Sequence, residues 1–263
     1  MDLGIKGKVA LVAAASKGLG KASALELARE GARVVIAARG EEDLMAAADE
    51  IRGATGAEVL PVRADVTALA DIEALVRAAQ DAFGDVDILV NNAGGPRPGS
   101  FTDMSDEDWL AALNLNLMST IRLTRLVLQG MQQRGWGRII NLTSISVKQP
   151  LPNIILSNAA RSAVVAMAKT LALQVAADGI TVNNVCPGTI LTDRVRSLAA
   201  NTAQQQGITQ EEALAAMQAD IPAGRIGRPE ELAALVAFLA SDRAAYITGA
   251  TIQVDGGVYR GLL

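Results

Sequence analysis

The stretch VALVAAASKGLGKASALELA, residues 9–28, decides the fold. Its apolar run, Val9 to Ala15, predicts a strand, which passes directly into Ser16, Lys17, Gly18, Leu19 and Gly20 and then into alanine and leucine at helical spacing. A glycine-bearing turn of this kind sets a helix N-terminus beside the C-terminal edge of a sheet. Free backbone N–H groups and the helix dipole favour an anion there, and Gly18 and Gly20 let backbone and ligand approach closely.

Six further short runs read as strands: Arg33 to Ala38, Val59 to Val62, Val86 to Val90, Arg138 to Leu142, Thr181 to Val185 and Thr251 to Val254. Most are continuously apolar, as strands buried on both faces should be. Helical patterns such as ADIEALVRAAQDAFG and PEELAALVAFLASD lie between them. The alternation predicts an α/β fold of Rossmann type, a doubly wound parallel sheet flanked by helices. With 263 residues, 50% hydrophobic, and neither linker nor repeat, the chain is expected to form one domain over residues 1–263. Its start lacks signal-peptide features and no apolar run reaches spanning length, so no membrane association and a cytoplasmic location are expected. A net charge of −4 with both signs interspersed argues against nucleic acid as a partner. The lone Cys186 lies in an apolar run and is expected to be a buried, inert thiol; no metal is implied.

Taken in order, AAASKGLG (13–20), ADV (64–66), NNAG (91–94), GRIINLTS (137–144), VNNVCPGTILTD (182–193) and ITGATIQVDGG (247–257) resemble the motifs of the classical short-chain dehydrogenase/reductase family, particularly its ketoacyl reductase-like members. The likeness runs end to end. It implies cofactor contacts at Ser16, Lys17, Gly18, Leu19 and Gly20 for a pyrophosphate, at Asp65 and Val66 for adenine, and at Asn91, Ala93 and Gly94 beside the ribose. Pro187, Gly188, Ile190 and Thr192 would border the nicotinamide. Ala13 and Ala14 stand where the family has threonine and its first glycine, so the Ala14 methyl is expected to crowd the adenosine side. An acidic residue at the end of the second strand would accept hydrogen bonds from a ribose diol, but here Ala38 is followed by Arg39. With Lys17 it could flank a 2′-phosphate, so NADP(H) is favoured over NAD(H).

The catalytic residues depart from the family. Asn116 and Ser144 match its asparagine and serine, with Asn114 an alternative register for the first. The tyrosine and lysine of its YxxxK motif are replaced by Ser157 and Arg161. An aliphatic hydroxyl is a far weaker acid than a phenol, and arginine does not relay protons. The chain has no histidine, and its two tyrosines, Tyr246 and Tyr259, fall far from this helix in sequence. Lys148, four residues past Ser144, is the remaining acid/base candidate. Together with Arg161 it would make a cationic pocket for an anionic or strongly polarised small-molecule substrate, with Ser144, Ser157 and Asn158 donating hydrogen bonds.

Three functions follow from this pattern: an NADP(H)-dependent oxidoreductase of carbonyl or hydroxyl substrates, similar to 3-oxoacyl reductases; an isomerase or lyase on the same scaffold; or a nucleotide-binding protein without turnover. Residues 191–225 correspond to the family's substrate lid, and the resemblance also implies a homotetramer.

Overall fold

A computed structural model describes residues 2–262. Seven strands, β1 (Val9–Val12), β2 (Arg33–Ala38), β3 (Val59–Arg63), β4 (Ile88–Asn91), β5 (Gly137–Leu142), β6 (Ile180–Pro187) and β7 (Thr251–Val254), form one sheet in the order β3-β2-β1-β4-β5-β6-β7. Every neighbouring pair is parallel. All seven expected strands are present, and the order reverses between β1 and β4, which opens a crevice at the C-terminal edge of the sheet.

Nine helices occupy the connections among the described residues. Those flanking the sheet are α1 (Gly18–Arg29), α2 (Glu41–Thr55), α3 (Leu69–Phe83), α5 (Ser119–Arg134), α6 (Ile155–Val175) and α9 (Pro229–Leu239). Successive side chains of one strand point to opposite faces, so Ala10 and Val12 join a core with Leu27 of α1, Leu44 of α2 and Val236 of α9. Val9 and Leu11 join the other core, with Leu75 of α3, Val127 of α5 and Ala168 of α6. This two-sided burial is why the strands lack a polar alternation. The remaining helices are α4 (Asp106–Leu113), capped by Ser105, and the pair α7 (Asp193–Gln206) and α8 (Gln210–Ala219), which lie within the region expected to form a lid. No helix among the described residues is long and apolar enough to cross a membrane.

One chain of side-chain amides crosses the sheet's interior. Asn91, Asn141, Asn184 and Thr251 are aligned in register on β4, β5, β6 and β7. Asn91 Nδ2 donates to Asn141 Oδ1 at 2.9 Å, Asn141 Nδ2 to Asn184 Oδ1 at 2.9 Å, and Asn184 Nδ2 to Thr251 Oγ1 at 3.1 Å. Asn91 also donates to Thr124 Oγ1 at 3.2 Å. The side-chain amide of Asn91, a residue expected beside a ribose, is thus committed inside the sheet.

The β1–α1 turn shows why the glycines stand where they do. Gly18 takes φ +58° and Ala14 takes φ +48°, left-handed conformations that favour glycine, so Ala14 occupies a glycine's conformation while carrying a methyl group. A Cβ on Gly20 would run into the Ala14 carbonyl and lie 2.8 Å from Asn92 Nδ2, which itself donates to Ala14 O at 3.1 Å. Ala14→Gly should relieve the left-handed strain, less the entropy a glycine adds to the unfolded chain, for a net gain of about 0.5–1 kcal/mol. Urea denaturation measures it, and a loss of stability would contradict the strain.

Candidate active site at the carboxyl edge of the sheet

The crevice begins as a cleft of about 380 Å³ lined by Ala14, Ser16, Lys17, Arg39, Asp65 and Gly94, among others. The sequence reading brought these residues together from four separate segments, and they are together here. Helix α1 starts after Lys17 with no side-chain cap, so its first N–H groups are left to a ligand. Lys17 itself is ion-paired with Asp43 of α2, Nζ to Oδ2 2.8 Å, which raises its pKa and ties it to the α2 side of the cleft. Arg39 is exposed beyond β2. The Asp65 carboxyl accepts from the Thr67 backbone N–H at 2.9 Å and from its hydroxyl at 2.7 Å. These bonds, the backbone one foremost, hold it below the usual carboxylate range, and Arg39 adds to the effect. Val66 is buried beneath it.

The far wall is made by the segment after β6. Gly188 N–H donates to Val254 O at 3.0 Å, and a Cβ there would lie 2.7 Å from the Asp255 Cβ. Thr192, at the N-cap of α7, packs toward the glycine turn, its Cγ2 3.4 Å from where a Gly18 Cβ would sit. Ile190, expected to border the nicotinamide, is 4% exposed, and its side chain packs against Gly227. Pro187 ends β6 at the same edge.

A five-residue π-helical turn, residues 114–118, joins α4 to α5 and gives its two asparagines different partners. Asn116 is buried and donates to Gly94 O at 3.1 Å, with its Oδ1 left unpartnered among the described residues. Asn114 points the other way, donating to Thr67 O at 3.1 Å and accepting from Arg122 at 2.8 Å. Ser144 lies just past β5, where its Oγ accepts from Ser146 N–H at 3.1 Å and so keeps its own proton available to donate. Ser157 is half-buried on the first turn of α6, while the Asn158 amide donates to Leu151 O at 2.9 Å. Asn158 is thereby tied to the β5–α6 loop.

Arg161 differs most from its expected role. Its Nη1 donates to Leu142 O at 3.0 Å and Thr143 O at 3.1 Å, and its Nη2 reaches Ala93 O at 3.3 Å and Gly94 O at 3.4 Å. The guanidinium is a brace between the ends of β4 and β5, where a substrate clamp was expected, because both terminal nitrogens are filled by backbone carbonyls. Burial pushes its pKa down to about 10, and repulsion from Arg194 adds to the shift. Lys148 carries its ammonium over the ring of Tyr259, 5.5 Å from the centroid. Tyr259, Arg194 and Asn92 are the residues that sequence spacing did not bring to the site. The first two sit 111 and 46 positions from Lys148, and only the fold could join them.

Such a crevice, with an open helix N-terminus at a topological switch point, defines a dinucleotide-binding enzyme class. A family model described as enoyl-(acyl carrier protein) reductase matches residues 13–259. The chain is 41% identical over 257 residues to 3-oxoacyl-[acyl-carrier-protein] reductase FabG of Vibrio cholerae, covering 98% of this chain and 99% of that protein. L-sorbose reductase from Gluconobacter frateurii, solved in complex with NADPH and L-sorbose, superimposes with a TM-score of 0.96 at 38% identity over 100% of both chains. Actinorhodin polyketide ketoreductase with NADPH gives 0.91 at 40% identity over 95% of this chain and 97% of that one. The chain belongs to the short-chain dehydrogenase/reductase family, among its ketoacyl reductase-like enzymes.

Two outcomes check this geometry. Arg161→Met should cost roughly 2–3 kcal/mol in chemical denaturation, since it strips charge-assisted donors from buried carbonyls; unchanged stability would contradict the brace. Cys186 is fully buried, its Sγ 3.1 Å from Thr143 Oγ1, and burial pushes the thiol pKa up. The folded protein should resist an aromatic disulfide reagent at mildly alkaline pH and react once unfolded in urea; rapid reaction when folded would place the thiol elsewhere.

Proposed function

We propose that the protein is an NADP(H)-dependent oxidoreductase of carbonyl or hydroxyl substrates whose proton transfer does not use the family's tyrosine and lysine. The observation that carries the cofactor half is the cleft itself. It joins the uncapped start of α1 to Arg39 at the end of β2, and no acidic side chain from β2 or the residue following it is present to repel a 2′-phosphate. Ser16, Gly18, Leu19 and Gly20 would hold the pyrophosphate, and Ala93, Gly94 and Thr192 would flank the ribose and nicotinamide. The bound dinucleotide would supply or accept the hydride.

The chain's own residues account for the rest. The Ser144 hydroxyl donates a hydrogen bond to the substrate oxygen and polarises it. Lys148 gives that oxygen its proton in the reductive direction and takes it back in the oxidative one. Arg161 keeps the β4 and β5 ends at a fixed separation, with Asn116 bonded to the turn after β4 and Ser144 just past β5, and Ser157 takes the position of the family's tyrosine. Association into a homotetramer is in keeping with Phe101, shortly before α4, and Leu110 within it, which are 69% and 67% exposed. A second reading, nucleotide binding without turnover, is favoured by one observation: Arg161 is committed to structure at a position where the family has its proton-relay lysine.

The unmutated protein should bind NADP(H) more tightly than NAD(H) in calorimetric titrations, and Arg39→Ala should weaken NADP(H) alone by roughly 1.5–3 kcal/mol. Equal affinities would remove the 2′-phosphate assignment. Ser157→Tyr combined with Arg161→Lys should raise reduction of activated ketones above the starting protein while lowering stability, because lysine cannot span both carbonyl pairs. No gain in a folded, cofactor-binding double variant would argue against the matched positions.

A further inference from the structure

The cations around the crevice are unequal in what they are free to do. Lys17 is paired with Asp43 at 2.8 Å, and Arg161 is spent on four carbonyls. Arg194, on the first turn of α7, is different. Its guanidinium lies flat across Gly95, where an added Cβ would be 2.5 Å from Nη1 and 2.7 Å from Cζ. Its one hydrogen bond among the described residues is a long contact, Nη1 to Gly95 O at 3.5 Å, and no carboxylate forms an ion pair with it there. Gly95 lines the cofactor cleft, so this guanidinium rests over the cleft's mouth, while two residues earlier Thr192 packs against Gly18 on the opposite lip. The first turn of α7 thus spans the crevice from the glycine turn to the segment after β4.

We propose that Arg194 is an oxyanion-binding residue, which leaves its weak seat on Gly95 to engage a phosphate or carboxylate group of the bound ligands. Three features of the place support this. Gly95 carries no side chain that would displace the guanidinium, so the seat is open by construction. The long bond to a neutral carbonyl is readily exchanged for a short, bidentate, charge-assisted pair. Arg161, held rigid by its carbonyls, feels the charge of Arg194, and two guanidinium groups without an intervening acid are relieved by an anion that enters near both. This rests on the oxidoreductase reading for the identity of the ligands. The oxyanion comes from one of two sources, the cofactor's diphosphate or a substrate carboxylate.

The test uses the full chain with Arg194→Met, which keeps bulk and loses charge, and Arg194→Lys, which keeps charge. Calorimetry follows inorganic pyrophosphate and NADP(H) in one arm, and matched 3-oxo acids and their methyl esters, with and without NADP(H), in the other. The methionine variant is expected to lose roughly tenfold or more in one arm, with the lysine variant in between. Loss for pyrophosphate and NADP(H) assigns the diphosphate; loss confined to the preference for acid over ester assigns the substrate carboxylate. A methionine variant that matches the unmutated protein in both arms overturns the proposal. A protein that binds pyrophosphate or acids through Arg194 but never NADP(H) would sink the oxidoreductase reading while leaving the anion site standing.

Discussion

The guanidinium of Arg161 reaches four carbonyl oxygens, two at the end of β5 and two in the turn after β4. A buried cation is tolerated only where its donors are filled, and these acceptors fill both terminal nitrogens, Gly94 O being shared with the Asn116 amide. The separation of the two strand ends fixes where Asn116, bonded to Gly94, and Ser144, just past β5, can lie. The glycine turn leans on the same turn after β4 through Asn92 and Ala14. Cofactor cleft and catalytic edge are thereby one mechanical unit.

Arginine at position 161 serves the sheet in a way that a lysine there could not. Lysine offers a point charge on a flexible stem; arginine offers a planar fork that binds two pairs of carbonyls at once. Free charge shifts to Lys148, over the Tyr259 ring, and to Arg194, over Gly95.

The parts legible in sequence were those that local chemistry dictates. Seven apolar runs became seven parallel strands because those inside the sheet are buried on both faces, and the glycine turn could be read because a Cβ on Gly20 has no room. Side-chain direction was not legible. The Asn91 side chain is one case, since only the register with Asn141 and Asn184 shows it to be part of an amide chain within the sheet. The π turn at 114–118 has no compositional mark, yet it turns Asn116 and Asn114 to opposite partners. Nor could spacing bring Tyr259 over Lys148, since the chain returns there only after β7.

The central claim is that hydride transfer survives the loss of the tyrosine and lysine, with Lys148 handling the proton. Incubating the protein with NADPH deuterated at the transferable nicotinamide position and a broad pool of carbonyl metabolites, followed by mass spectrometry of the products, tests it most directly. The account predicts deuterium in at least one alcohol product, and its loss in a folded Lys148→Met variant that still binds NADPH. Firm NADPH binding with no deuterium transferred to any member of the pool would contradict it and leave a nucleotide-binding protein without redox turnover.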